Sequence, residues 1–333
     1  PDVQGRVAIT NGDFVVQGLP SAITAVNVEV EADSNEIRIA RGNARFAGGT
    51  LGLTGRLPLR GMGFGAGVVG VAARGVRFAP DDGIKLTADA DLVLELSPPT
   101  NARGGRGKLP HVAGDVLITS FEYSRPMALT GSLGDPKARR ATVESYDPTL
   151  DSVTLDINVR ARTPLRIRNN MVDVQLGIES DALQVVGTNQ RIGLRGELKS
   201  QPGGRFHFRS SEFEVRQALL RFDDPTRIAP NIDVVAMTEY RRMGDSANVS
   251  GAGRQAGLWR ITLHAYGEVD NLKLDMTSDP PLSQEDIVLL LTVGMTRTEL
   301  DQLQAGALGA GAALEAIAAA SGADSAVKKA VPV

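Results

Sequence analysis

The chain has 333 residues, 36 of them basic and 39 acidic, for a net charge of -3; that balance gives no support for a nucleic-acid partner, which wants a concentrated basic surface. Cysteine is absent, which removes disulfides and thiolate metal sites and fits a secreted or periplasmic protein. Hydrophobic residues make up 42% but aromatics only 4%, so the apolar content is mostly aliphatic, and no apolar run is long enough to span a bilayer.

Residue 1 is proline, and no signal peptide is recognisable. The chain therefore reads as a piece of a longer protein, with any membrane anchor outside it. Val28 and Val30 alternate with Asn27, Glu29 and Glu31, and Ile37 and Ile39 alternate with Glu36 and Arg38. From Leu86 to Leu96 the alternation is unbroken, with Leu92 and Leu94 on one side and Asp91, Val93 and Glu95 on the other. Leu155, Ile157 and Val159 face away from Asp156, Asn158 and Arg160; Val174 and Leu176 do the same against Asp173 and Gln175. Phe206 and Phe208, Phe213 and Val215, and Leu220 and Phe222 predict three short strands, divided at Ser210-Ser211 and at Gln217. Each run has the period of a half-buried strand, and turn residues recur roughly every ten positions.

The stretch Gly257 to Leu291 repeats this pattern and then breaks it. Ile261, Leu263 and Ala265 form one alternating run, and Leu272, Leu274 and Met276 a second. Ser278-Asp279-Pro280-Pro281 cannot continue a sheet, because proline removes a ladder donor and fixes φ. Ser283 with Asp286 three residues on is the pattern of a capping box, and Ile287, Val288, Leu290 and Leu291 give the helix an apolar stripe. An Ala-rich capping helix is expected over residues 305–320. The organisation predicted is an elongated β region over residues 1–282 and a short helical segment over 283–333.

The expected fold is all-β: a long, mostly meandering sheet with one apolar face, plus short C-terminal helices. Period 2 puts the aliphatics on one face and the charges on the other. About sixteen strands spaced ~4.8 Å apart make a sheet roughly 75 Å long. A greasy face of that size must curl, pack on another sheet or hold something apolar. The wall residues predicted on this basis are Val28, Val30, Ile37, Ile39, Leu92, Leu94, Leu155, Ile157, Val159, Val174, Leu176, Phe206 and Phe208.

No catalytic constellation stands out, and neither a metal nor a cofactor is expected. Gly61 to Gly67 looks like a phosphate-cradling loop, but a strand rather than a helix is expected after it. Asp81-Asp82 and Asp223-Asp224 sit where aspartate serves turns. His207 and His264 fall on the polar side of their strands.

Gly196 to Ala236, with Pro230, Asn231 and Asp233, and the run Ser278, Asp279, Pro280, Pro281, Leu282 and Ser283 resemble the C-terminal region of the TamB family, the inner-membrane component of the translocation and assembly module. Upstream segments such as Ile37 to Gly42 are similar to the wider AsmA-like family of bridge-type lipid-transfer proteins. The resemblance implies that the sheet is long, curled and mostly meandering, forming an open trough, a β-taco, whose apolar interior of these wall residues shields lipid acyl chains, and that a segment outside this chain anchors it in the inner membrane. It implies a periplasmic conduit for phospholipid between the two membranes, partnered with a TamA-like outer-membrane barrel and supporting outer-membrane biogenesis and protein secretion. A chaperone-like module that binds outer-membrane protein strands by β-augmentation is the alternative. Two departures from the family pattern are a missing glycine near Gln217 and an end at Val333, before the final strands.

Overall fold

Alternating sequence becomes alternating faces of one sheet. The computed structural model describes residues 4–15, 21–60, 63–79, 83–97, 108–126, 146–179, 183–208, 211–242, 257–268, 272–298 and 301. The first half is an antiparallel meander of β1 (Gly5–Phe14), β2 (Ile23–Ala32), β3 (Glu36–Phe46), β4 (Gly49–Arg60), the short β5 (Gly63–Phe64), β6 (Gly67–Phe78), β7 (Ile84–Leu96) and β8 (His111–Tyr123). The second half holds β9 (Thr154–Ala161), β10 (Leu165–Arg168), β11 (Val172–Ile178), β12 (Leu183–Thr188), β13 (Ile192–Ser200), β14 (Gly204–Phe208), β15 (Ser211–Phe222), β16 (Asn231–Arg242), β17 (Gly257–Glu268) and β18 (Lys273–Asp279). The helix α1 (Gln284–Val293) follows.

Among the described strands, the halves join through two parallel pairings. Strand β8 runs parallel to β9, with His111 opposite Thr154 and Ile118 opposite Ala161, and parallel to β10, with Ile167 opposite Tyr123. A parallel pair cannot be closed by a tight hairpin. The strands β9 and β10 therefore act as two segments of one edge-to-edge neighbour of β8. In the same way β11 pairs with both β13 and β14, and β15 pairs with both.

One expectation is corrected. Phe213–Val215 and Leu220–Phe222 are not separate strands: β15 is continuous, and its register against β16 slips between Val215 and Gln217. One extra residue is accommodated as a β-bulge rather than a turn, and Ala218 N–H donates to Ser200 Oγ at 2.8 Å. The strand expected after the glycine-rich stretch is present. Gly67–Phe78 pairs with β4 and β7, so no dipole-bearing helix terminus follows the loop.

The outer face carries charge in cross-strand pairs. Glu31 opposes Arg38, Glu197 opposes Arg221 at 2.7 Å, and Glu239 opposes Arg260 at 3.5 Å. His207 meets Glu212 at 3.1 Å and His264 meets Asp233 at 2.9 Å, both partly exposed. Asp224 accepts from the Thr226 N–H and hydroxyl, an ordinary turn role that also holds its carboxyl below the usual range. Exposed pairs of this kind contribute about 0–1 kcal/mol each; their effect is to keep this face wet and the other face inside. The Asp81-Asp82 pair and the Ala-rich segment at 305–320 lie outside the described residues.

Candidate functional site

The inner face is a lattice of aliphatic ladders. Following one row across the sheet, Val7 opposes Val30, Val30 opposes Ile39, Ile39 opposes Gly55, Gly55 opposes Val69, and Val69 opposes Leu94. The row continues from Leu94 to Val112, Leu155 and Gly187. A neighbouring row runs Leu53, Val71, Leu92, Gly114, Ile157, Val185 and Leu194. Gly114 has φ +140°, and a Cβ there would lie 2.2 Å from Asp91 O, so only glycine lets β7 and β8 close up at that rung. In the second half, Leu198, Leu220, Ile232 and Gly267 form one row, and Val215, Ala236, Leu263 and Met276 another.

The predicted wall residues divide by burial. Val28, Val30, Ile37, Ile39, Leu92, Leu94, Leu155 and Ile157 are half-buried, as are Phe206 and Phe208, whereas Val159, Val174 and Leu176 are buried. The difference follows the halves. Over the described residues of β1 to β8 only Val26 and Ala44 are buried hydrophobics, so the face there stays open. Over β9 to β18 a single cluster runs from Val159 and Leu165 through Leu198 and Phe213 to Ile261.

Within that second half the sheet curls around a cavity of about 300 Å³. Its walls come from Ile167 on β10 and Val172 on β11 at one side and from Leu274 and Met276 on β18 at the other. On a flat sheet β10 and β18, six spacings apart, would be roughly 29 Å from one another; one small cavity cannot touch both unless the sheet folds over. Every lining residue is apolar: Val174, Leu176, Phe206 and Phe208 were anticipated, and Val215, Ala218, Leu220, Ile232, Val234, Ala236, Leu263, Ala265 and Leu272 were not. The signal for the missed ones was present, since Leu263, Ala265 and Leu274 lie in alternating runs. Which runs face each other is a property of the curl. Phe206 stacks on Phe208 and tilts against Phe213, with centroids 6.4 and 6.2 Å apart.

The motif residues serve construction. Ser278 Oγ donates to Pro280 O at 2.8 Å and accepts the Leu282 N–H at 2.9 Å, turning the chain out of β18 after the cis Asp279-Pro280 bond. Pro230, half-buried, leads into β16, where Asn231 opposes both Arg221 and Glu268 and Asp233 meets His264. Ser283 caps α1: its hydroxyl accepts Asp286 N–H at 3.1 Å and donates to Asp286 Oδ2 at 2.7 Å. Pro281 and Leu282 fill the remaining step, and Leu282 packs against the core cluster.

The model of the TamB C-terminal domain matches residues 40–331. The chain belongs to the TamB family. The curated proteins contain no match. The TamB match takes in nearly everything from β3 onward, so the aliphatic ladders beyond β2, the curled half and the capped helix lie within it. Membership ties the chain to the translocation and assembly module and to the cell envelope, and makes its work that of a transport and assembly component. No described helix is long and apolar enough to cross a membrane. Among the described residues, no cluster of His, Asp and Glu is built to hold a metal ion.

Proposed function

We propose that this TamB-family chain is a conduit for phospholipid, or another lipid with acyl chains, between the inner and outer membranes. It works in the periplasm, held to the inner membrane by a segment beyond this chain and paired with a TamA-like outer-membrane barrel. The observation that carries the reading is the inner face: cross-strand rows of aliphatic side chains, ending in a curled half whose cavity has no polar lining residue. An acyl chain there gains about 0.8 kcal/mol per CH₂ removed from water. A wall of Val, Leu and Ile offers many equivalent contacts and no deep specific pocket, so a chain can advance without crossing a large barrier.

The test is photo-crosslinking in cells with benzoylphenylalanine at Phe206, which lines the cavity, and at its neighbour His207, which faces out. Lipid adducts recovered by mass spectrometry at position 206 and not at 207 are the expected result. Equal yields, or protein adducts alone at 206, would sink the conduit.

A second reading has its own observation. β1 pairs with β2 on one side, and Val7 is 65% and Ile9 41% exposed. An open edge with a greasy face can accept a client strand. Client-protein adducts along Gly5–Phe14, with none of lipid inside, would favour that role.

A further inference from the structure

The helix α1 sits in the trough rather than beside it. Ile287 and Leu290 are 0% exposed and Leu291 1%, and all three belong to the same cluster as Phe213 and Ile261 of the sheet. Phe213 and Ile261 lie just beyond the rung Val215–Ala236–Leu263–Met276 that lines the cavity. The helix thus covers the inner face immediately next to the cavity. Gln284 Nε2 donates to Leu274 O at 3.1 Å, while Asp286 and Glu285 are engaged with Ser283 and Arg297 of their own segment. Val288, on the far side, is 38% exposed.

We propose that α1 is a displaceable stopper: its three buried aliphatics occupy the stretch of groove that the next part of an acyl chain would fill, and the apolar path continues only when the helix leaves. The inference rests on the conduit reading. Helix and lipid would compete for one surface by the same physics. Apolar burial holds α1 in place, and apolar burial by an acyl chain replaces it without exposing the wall to water. A short helix is well suited to this, since it has little stability of its own once undocked.

The absence of cysteine makes the test direct. Leu290→Cys gives a single thiol under the helix, and Ala44→Cys a control in β3, where the parent residue is 5% exposed and far from the stopper in sequence. Maleimide labelling is followed with and without dansylated undecanoate, whose fluorescence reports its own binding. At about ten times its intrinsic Kd for the helix-out state, a ligand that binds only that state raises the open population about tenfold while that state stays rare. The expected result is that rise in labelling rate for the Leu290→Cys protein with none for the Ala44→Cys protein. Probe binding with no change in labelling at position 290 overturns the stopper and leaves the conduit standing. The variant Ile287→Asp with Leu291→Asp expels the helix. Tighter probe binding by that variant than by the parent chain supports a stopper shut at rest, and equal binding by the two overturns it. Binding by neither overturns the conduit and the stopper together.

Discussion

Burial separates residues that hold the fold from residues that line an open surface, although both kinds are aliphatic and both face inward. Leu176 is 2% exposed and lies in the packed second half. Leu176→Ala removes buried methylenes and leaves a void that surrounding strands cannot fill, a loss of about 2–5 kcal/mol. Val30 occupies the same face in the first half but is only half-buried, so Val30→Ala costs about 0.8 kcal/mol, half the transfer energy of two methyl groups. Urea unfolding should show a large drop in midpoint for the first variant and a small one for the second. Equal drops would mean that the first half is packed as tightly as the second, and that the open face described for it does not exist in solution.

At the scale of the element, α1 depends on a short polar circuit. Asp286 is held below the usual carboxylate range, first by the Ser283 hydroxyl and then by the Arg297 N–H. A depressed folded pKa means that the contribution is present above the unfolded value, about 3.9, and is lost as pH falls through the lower folded value. Acidification below about pH 4 should therefore loosen α1, and Ser283→Ala, at a cost of about 1 kcal/mol, should move the loosening to higher pH. Hydrogen exchange of the Ile287 to Leu291 amides in both proteins checks this; pH-independent stability of those amides in both would remove the circuit from the account. This element also marks how far the sequence can be read. Spacing alone places the cap at Ser283 and Asp286, because a cap is local. It also puts Ile287, Val288, Leu290 and Leu291 on an apolar stripe, yet Val288 faces solvent. Where a helix docks is decided by partners such as Phe213 and Ile261, many residues away. The same division runs through the sheet. Period 2 assigns Leu155 and Phe206 to one face. The parallel junction of β8 with β9 and β10, the bulge at Arg216-Gln217 and the curl that brings Ile167 toward Met276 depend on long-range pairing that no window of sequence encodes.

The whole molecule is an open sheet, and its two edges are unlike. β18 is followed at once by the turn at Ser278 to Leu282, and Gln284 returns to occupy its Leu274 carbonyl. Among the described residues, β1 has no such cover from its neighbours in the chain. Its second half protects itself: the register against β2 slips between Ile9 and Gly12 and again before Phe14, and Asn11 has φ 51°. Bulges of this kind discourage strand addition. The first half, Gly5 to Ile9, is regular, pairs in step with Val28 to Ala32, and carries one charge, Arg6. Strand addition to this protein, whether by a client or by another copy, should therefore start at Gly5–Ile9. An amphipathic peptide of strand-forming residues should slow amide exchange there by on the order of tenfold, equivalent to about 1.4 kcal/mol of added protection. The Lys273–Asp279 amides should not change. The double substitution Val7→Lys with Ile9→Lys should abolish the protection, because inward-pointing charge on an edge opposes pairing. Protection of β18 instead would show that the Gln284 contact does not guard its edge. Protection that survives the double lysine variant would place the accepting strand elsewhere and remove the observation on which the strand-binding alternative rests.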